Sequence, residues 1–169
     1  YNQKNNVYEV RYYNDRLAVQ TTNNSNGSGF RQLFNYISGE NKRSAQVKMT
    51  TPVTESEKIA MTVPVTQTED NKEMVMQFYL PSNYTIDTAP IPTNPKVELV
   101  KIEGGHFAVI KYSGRLTQRN FEKNKKILKE KLLKDNIEIK SKVIRASYNS
   151  PFTLPILRRN EVMYRIILK

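Results

Sequence analysis

Apolar and polar residues alternate with a period of two through "VYEVRYY" (7–13) and continue extended through "RLAVQTT" (16–22). With "ND" between them as turn chemistry, this opening predicts a β-hairpin. Past the polar loop "NNSNGSG" (23–29) the period changes: Phe30, Leu33, Phe34 and Ile37 fall at i, i+3, i+4 and i+7. That spacing predicts a short amphipathic helix with Ser28 as its cap and Gly39 as its stop. Two Met-Thr-X-Pro-Val segments follow, beginning at Met49 and Met61, and then "EMVMQFYLP" (73–81), a strand closed by proline. "TAPIPTNP" (88–95) predicts a stiff extended linker, because each proline fixes its own φ and restrains the residue before it.

The same order of patterns then recurs. "KVELVKIEGGHFAVIKYSG" (96–114) reads as strand, Gly-Gly turn, strand; "NFEKNKKILKEKLLKDN" as a second helix; "ASYNSPF" (146–152) and "NEVMYRIIL" (160–168) as closing strands. The letters echo too, with Ala18-Val19 matched by Ala108-Val109 and "EMVMQFYL" by "NEVMYRIIL". Two hairpin-helix-strand-strand halves, about 7–81 and 96–168, are too few for a solenoid and should pack face to face around a shared core. A chain of 169 residues suits one domain over 1–169, able to bury roughly two-thirds of its unfolded surface.

In the Met-Thr-X-Pro-Val copies, Thr and Val favour extended backbone while proline lacks the N–H of a central strand. With "TESEK" as the turn, the copies predict a hairpin whose prolines interrupt regular pairing at matching places and so form the wall of a cleft. Met49 and Met61 can line that cleft for a flat ligand or fill irregular core space.

Composition narrows the chemistry. Without cysteine there is no disulfide framework, thiolate metal site or cysteine nucleophile. A net charge of +11, from 27 Lys and Arg against 16 Asp and Glu, favours anionic partners. Much of the excess sits in 120–142, where Phe121, Leu128 and Leu132 share one helix face, with Ile127 beside it, and lysines occupy the rest. No nucleic-acid-binding motif accompanies these lysines, so nucleic acid is not an expected partner. No apolar run approaches the roughly 20 residues of a membrane helix, so a soluble chain is expected; a monomer is expected as well. The chain starts at Tyr1, which leaves both cytoplasmic residence and export after signal removal open.

"VYEVRYYNDRLAVQTT", "GFRQLFNYISGEN", "KMTTPVT", "IAMTVPV", "FYLP", "SYNSPF" and the terminal "RNEVM" follow one another in the order and spacing of the SOUL haem-binding protein family, which this chain resembles from about Val7 to Ile166. The resemblance implies an α+β fold, a distorted antiparallel β-barrel from two pseudo-symmetric βαββ-type halves with two helices on the sheet. It also implies a carrier or buffer of haem or a related tetrapyrrole rather than an enzyme. It places the macrocycle beside the first helix: Phe30, Leu33, Phe34 and Ile37 as the apolar plane, Met49 and Met61 nearby, and Arg31, Lys42, Arg43 and Lys48 as cations for the propionates. The same four apolar residues also suit a helix face buried in the core.

Some family members carry a histidine in the opening strand, proposed as an iron ligand; here Tyr12 stands at that place. Tyrosinate can bind ferric haem iron, and Tyr12 also fits an ordinary strand aromatic. The single histidine, His106, follows Gly104-Gly105 at the expected turn and reads as solvent-exposed. Binding without a protein axial ligand is the default. Catalytic constellations do not assemble, with haem degradation the one weak enzymatic alternative. The duplicated architecture also resembles the effector-binding domains of bacterial multidrug regulators. That makes an effector-sensing module holding a lipophilic cation or peptide the rival reading, with Glu161 as the candidate for its acidic residue, although an ordinary strand-end charge paired with Arg158 or Arg159 is the favoured reading of Glu161.

Overall fold

The computed structural model describes residues 3–4, 6–23, 26–42, 56–62, 64–70, 73–149 and 152–168. Their order is β1 (Gln3–Lys4), β2 (Glu9–Tyr13), β3 (Arg16–Asn23), α1 (Asn26–Ser38), β4 (Asn41–Lys42), β5 (Val65–Asp70), β6 (Glu73–Tyr79) and β7 (Ile91–Pro92). There follow β8 (Glu98–Ile102), β9 (Gly105–Tyr112), α2 (Gln118–Lys134), β10 (Glu138–Ile139), β11 (Ile144–Ser147), a 3-10 turn (Pro155–Leu157) and β12 (Asn160–Ile167). The strand pairs, from β1–β2 through β4–β7, are antiparallel, giving an α+β fold.

Contacts divide the chain into two compact units, one of Tyr1–Asn14, Thr66–Thr68 and Gly104–Lys169, the other of Asp15–Val65 and Glu69–Glu103. In the first, the strands run β1-β2-β9-β12-β11, β10 pairs with β12, and α2 packs on β9 and β12. Ala108, Ile110, Val162, Tyr164 and Ile166 point toward Phe121, Leu128 and Leu132 of α2, while Phe107, Val109 and Met163 point to the opposite face. β9 is therefore buried on both faces, which explains its nearly continuous apolar run. In the second unit β3 lies between β6 and β8, and α1 packs on β3 and β6. Val19, Met76, Phe78 and Leu80 meet Leu33, Tyr36 and Ile37 there.

Neither the hairpin expected over 7–22 nor the one expected over 96–114 forms. β2 pairs with β1 and β9, whereas β3 pairs with β6 and β8. Asn14 and Asp15 therefore carry the chain from one unit to the other, and Glu103 and Gly104 do the same between β8 and β9. The run β3-α1-β5-β6 recurs as β9-α2-β11-β12, and the strand preceding each run pairs with the other run: β2 with β9, β8 with β3. Gly105 is not a turn glycine either. It sits in β9 opposite Tyr13 with φ of 137°, and a Cβ there would lie 3.0 Å from Nε of Arg165.

Other expectations shift as well. The Ala-Val echo is out of phase, since Val19 faces α1 whereas Ala108 faces α2. The proline-rich stretch is no free linker: Ala89 and Pro90 are buried, Tyr36 Oη donates to the Pro90 carbonyl at 2.7 Å, and β7 pairs with β4. The strand expected over 146–152 runs instead over Ile144–Ser147. The first Met-Thr-X-Pro-Val copy lies outside the described residues. Of the second, Met61 and Thr62 are not in a strand, Pro64 is buried, and Val65 opens β5.

Candidate functional site

Helix α1 begins at Asn26, so Ser28 lies inside it rather than capping it. It stops at Gly39, whose φ of 125° suits glycine, with the Gly39 and Glu40 amides donating to the carbonyls of Tyr36 and Asn35 at 3.2 and 2.9 Å. At roughly 100° per residue, Gly29, Leu33, Tyr36 and Ile37 share the arc that faces the core, and Phe30 and Phe34 fall at its margin. Hence the four residues expected to form one apolar plane separate: Leu33 and Ile37 are 0% and 5% exposed, Phe30 and Phe34 39% and 46%. Tyr36, absent from the expected stripe, turns the buried face away from them.

The two exposed phenylalanines form a ledge. Their ring centroids are 6.1 Å apart with planes 13° from parallel, and Phe30 rests edge-on against the buried Phe78 of β6 at 5.3 Å. Such a ledge offers an aromatic face to a flat apolar ligand without having to rearrange. Arg31 is exposed on the same helix and Lys42 on β4, neither in an ion pair among the described residues. Met61 is 46% exposed. Arg43, Lys48 and Met49 lie outside the described residues. Below the ledge, Asn41 ties the helix end to the following segment: its Nδ2 donates to the carbonyls of Tyr36 and Glu57 at 2.7 and 2.8 Å, and its Oδ1 accepts from the Glu57 amide at 2.8 Å.

Tyr12 lies in the first unit, directly across the β2–β9 ladder from His106. Their rings meet edge-on at 5.0 Å, with Tyr12 51% exposed and His106 half-buried within a strand rather than at a turn. The sequence gives no sign of this pairing, because the expected hairpins assign the two residues to different partners. Among the described residues no group of three His, Asp or Glu side chains could hold a metal ion.

The most strongly polar cluster surrounds Glu161, whose side chain is fully buried on the face of the first unit opposite α2. Arg11 grips it from two nitrogens, Nη1 to Oε2 at 2.9 Å and Nη2 to Oε1 at 3.0 Å. Arg159 donates to Oε1 from Nε at 2.9 Å and Nη2 at 2.7 Å, and Tyr148 Oη to Oε2 at 2.8 Å. Burial alone would raise the Glu161 pKa, but the hydrogen bonds from Arg11, Tyr148 and Arg159 hold it below the usual carboxylate value. Burial and the adjacent Glu161 charge push the Tyr148 phenol up. Arg11 also pairs with Glu9 and donates to Tyr13 Oη at 2.9 Å. Of the two expected partners Arg159 is one, while Arg158 Nε donates to the Thr153 carbonyl at 2.7 Å. Arg11, 150 positions away in sequence, was not foreseen.

Over residues 1–165 the sequence matches the family model described as SOUL heme-binding protein. The chain belongs to the SOUL haem-binding protein family. No curated protein matches it significantly. Among solved structures it is similar to an uncharacterized conserved protein from Listeria innocua (10% identity, TM-score 0.64, covering 95% of this chain and 92% of that one). It is also similar to the EcmrR C-terminal domain (8% identity, TM-score 0.64, 98% of each chain) and to SAV2435 bound to tetraphenylphosphonium (8% identity, TM-score 0.52, 95% and 93%). At such identities these likenesses speak for the SOUL chain's fold alone.

Proposed function

We propose that this SOUL-family chain binds haem or a related tetrapyrrole reversibly, as a carrier or buffer, with the macrocycle against the Phe30–Phe34 ledge. The observation that carries the reading is that two near-parallel phenyl rings stand exposed on α1, in a member of a haem-binding family, with the exposed Arg31 on the same helix. The residues fit the group: a porphyrin presents a broad apolar face and two propionates, and an aromatic ledge with a guanidinium nearby answers both. Lys42, Arg43, Lys48, Met49 and Met61 would complete the rim, while Leu33 and Ile37 would hold the helix in place from the core side. Binding through apolar contact and propionate pairing, without an axial ligand from the protein, gives modest affinity and easy transfer. For the lipophilic-cation reading the Glu161 carboxylate is charged but already paired, since both of its oxygens accept from Arg11, Arg159 and Tyr148.

Titration with ferric haem should give a Soret shift that saturates at a defined stoichiometry, and anionic porphyrins should compete where tetraphenylphosphonium does not. Phe34→Asp should weaken binding at least about tenfold with an unchanged far-UV circular dichroism spectrum, since the ring is 46% exposed. A spectrum equal to that of free haem beside an inert basic protein would overturn the proposal. Tyr12→Phe should leave the ferric charge-transfer bands unchanged; an altered spectrum would make Tyr12 an axial ligand. Bilin absorbance after adding reductant and oxygen would indicate haem degradation instead.

A further inference from the structure

The segment Phe152–Leu157 carries four large apolar residues in six positions, and all four face solvent: Phe152 is 96% exposed, Leu154 64%, Ile156 78% and Leu157 68%. Single exposed apolar side chains are ordinary, but a contiguous cluster marks a surface that meets something apolar. The segment has a defined shape: a 3-10 turn over Pro155–Leu157 is closed by bonds from Leu157 N to Leu154 O at 2.9 Å and Arg158 N to Pro155 O at 3.2 Å. It is pinned to the β9–α2 connection, where the Gly114 amide donates to the Pro155 carbonyl at 2.8 Å. That connection carries Leu116, 37% exposed, and the exposed Arg115, and the first turn of α2 that follows carries the exposed Arg119. Arg158 and Arg159 follow the segment in the chain, Arg158 bonded to the Thr153 carbonyl and Arg159 to Glu161. Neither 140–160 nor 104–121 contains an Asp or Glu, so the stretches of chain that carry and anchor the apolar tip bring positive charge, with Glu122 and Glu161 following just beyond them.

We infer that this tip docks the protein on an anionic phospholipid surface, Phe152, Leu154, Ile156 and Leu157 entering the interfacial zone while Arg115 and Arg119 meet lipid phosphates and carboxylates. The occupant follows from the charge pattern. A second copy of this chain would bring its own arginines against Arg115 and Arg119, whereas an anionic bilayer supplies both the apolar layer and the counter-charge. The inference does not depend on tetrapyrrole binding, and its test uses the haem-free chain.

Co-sedimentation with vesicles of phosphatidylcholine alone and of phosphatidylcholine with phosphatidylserine checks it. The wild-type chain should partition onto the serine-containing vesicles about tenfold or more strongly and lose much of that binding at high salt. The double variant Phe152→Ser/Ile156→Ser should reduce binding about tenfold or more with an unchanged circular dichroism spectrum. Arg115→Ala/Arg119→Ala should lower binding to the anionic vesicles while leaving the weak neutral binding as it is. Equal partition of the double variant and the wild type would overturn the inference, assigning the attraction to the lysines of α2. So would a concentration-dependent dimer abolished by the double variant in a chain that ignores vesicles, which would assign the tip to a second copy.

Discussion

Glu161 has no accessible side-chain surface, yet it carries a full charge because five hydrogen bonds from two guanidinium groups and a phenol replace its water. Such a site favours its charged form so long as every partner stays in place. Glu161→Gln keeps the shape but removes the counter-charge from Arg11, which is itself 9% exposed. The variant should lose about 3 kcal/mol, the lower end of what breaking a buried pair costs, measurable as a fall in Tm of about 10 °C. The sequence marks Glu161 and Arg159 as a pair two residues apart. Arg11 and Tyr148 are invisible to it, because their proximity arises only when β2 and β11 take their places in the sheet. The α1 residues follow a similar course. The spacing of Phe30, Leu33, Phe34 and Ile37 is legible, but which of them the core seals depends on Tyr36 and its bond to Pro90, a contact 54 positions apart.

The helices are the most legible elements, because their periods and end signals are local. α2 shows the buried stripe that its spacing predicts, Phe121, Leu128 and Leu132, and leaves Ile127 39% exposed. Its start is fixed by Thr117, in extended backbone (φ −88°, ψ 152°), whose Oγ1 accepts from the Asn120 amide at 3.2 Å. Its end is fixed by Asn136, at φ of 54°, after which Ile137 N donates to Leu132 O at 2.9 Å. Thr117→Ala should therefore cost about 1 kcal/mol, lowering Tm by about 3 °C, and Thr117→Ser should restore most of it. The strands of 7–22 and 96–114 were legible as strands and misread as hairpins. Alternation specifies an extended segment with one or two buried faces, and the same alternation serves any partner of matching pattern. "ND" contains no glycine to favour the tight turns that close two-residue hairpins, and here it joins β2 and β3 without pairing them.

For the whole molecule the excess of positive charge and the buried carboxylate act together as pH falls. The carboxyls of Glu9 and Glu161 are held below their ordinary value of 4.5 in the folded chain. Their contribution is thus fully present above the unfolded value and is lost as pH drops through the folded one. Protonation also adds to a net charge that is already +11 at pH 7. Thermal melts should show Tm nearly level from neutral pH to about 5 and falling steeply below about 4.5, with added salt recovering part of the loss. Glu161→Gln should flatten that fall. A Tm independent of pH down to 3 would show that the carboxylates contribute nothing. By itself the sequence determined the two helices, the extended segments, the charge and the family, all of which rest on residue order and near-neighbour chemistry. The tertiary structure decided which strand pairs with which, which aromatic side chains stay exposed on α1, that Arg11 joins Arg159 on Glu161, and that Phe152–Leu157 stands outside the core. Burial and pairing are relations between distant residues, and they become definite only when each strand edge and helix face meets the one partner that satisfies its hydrogen bonds and covers its apolar surface.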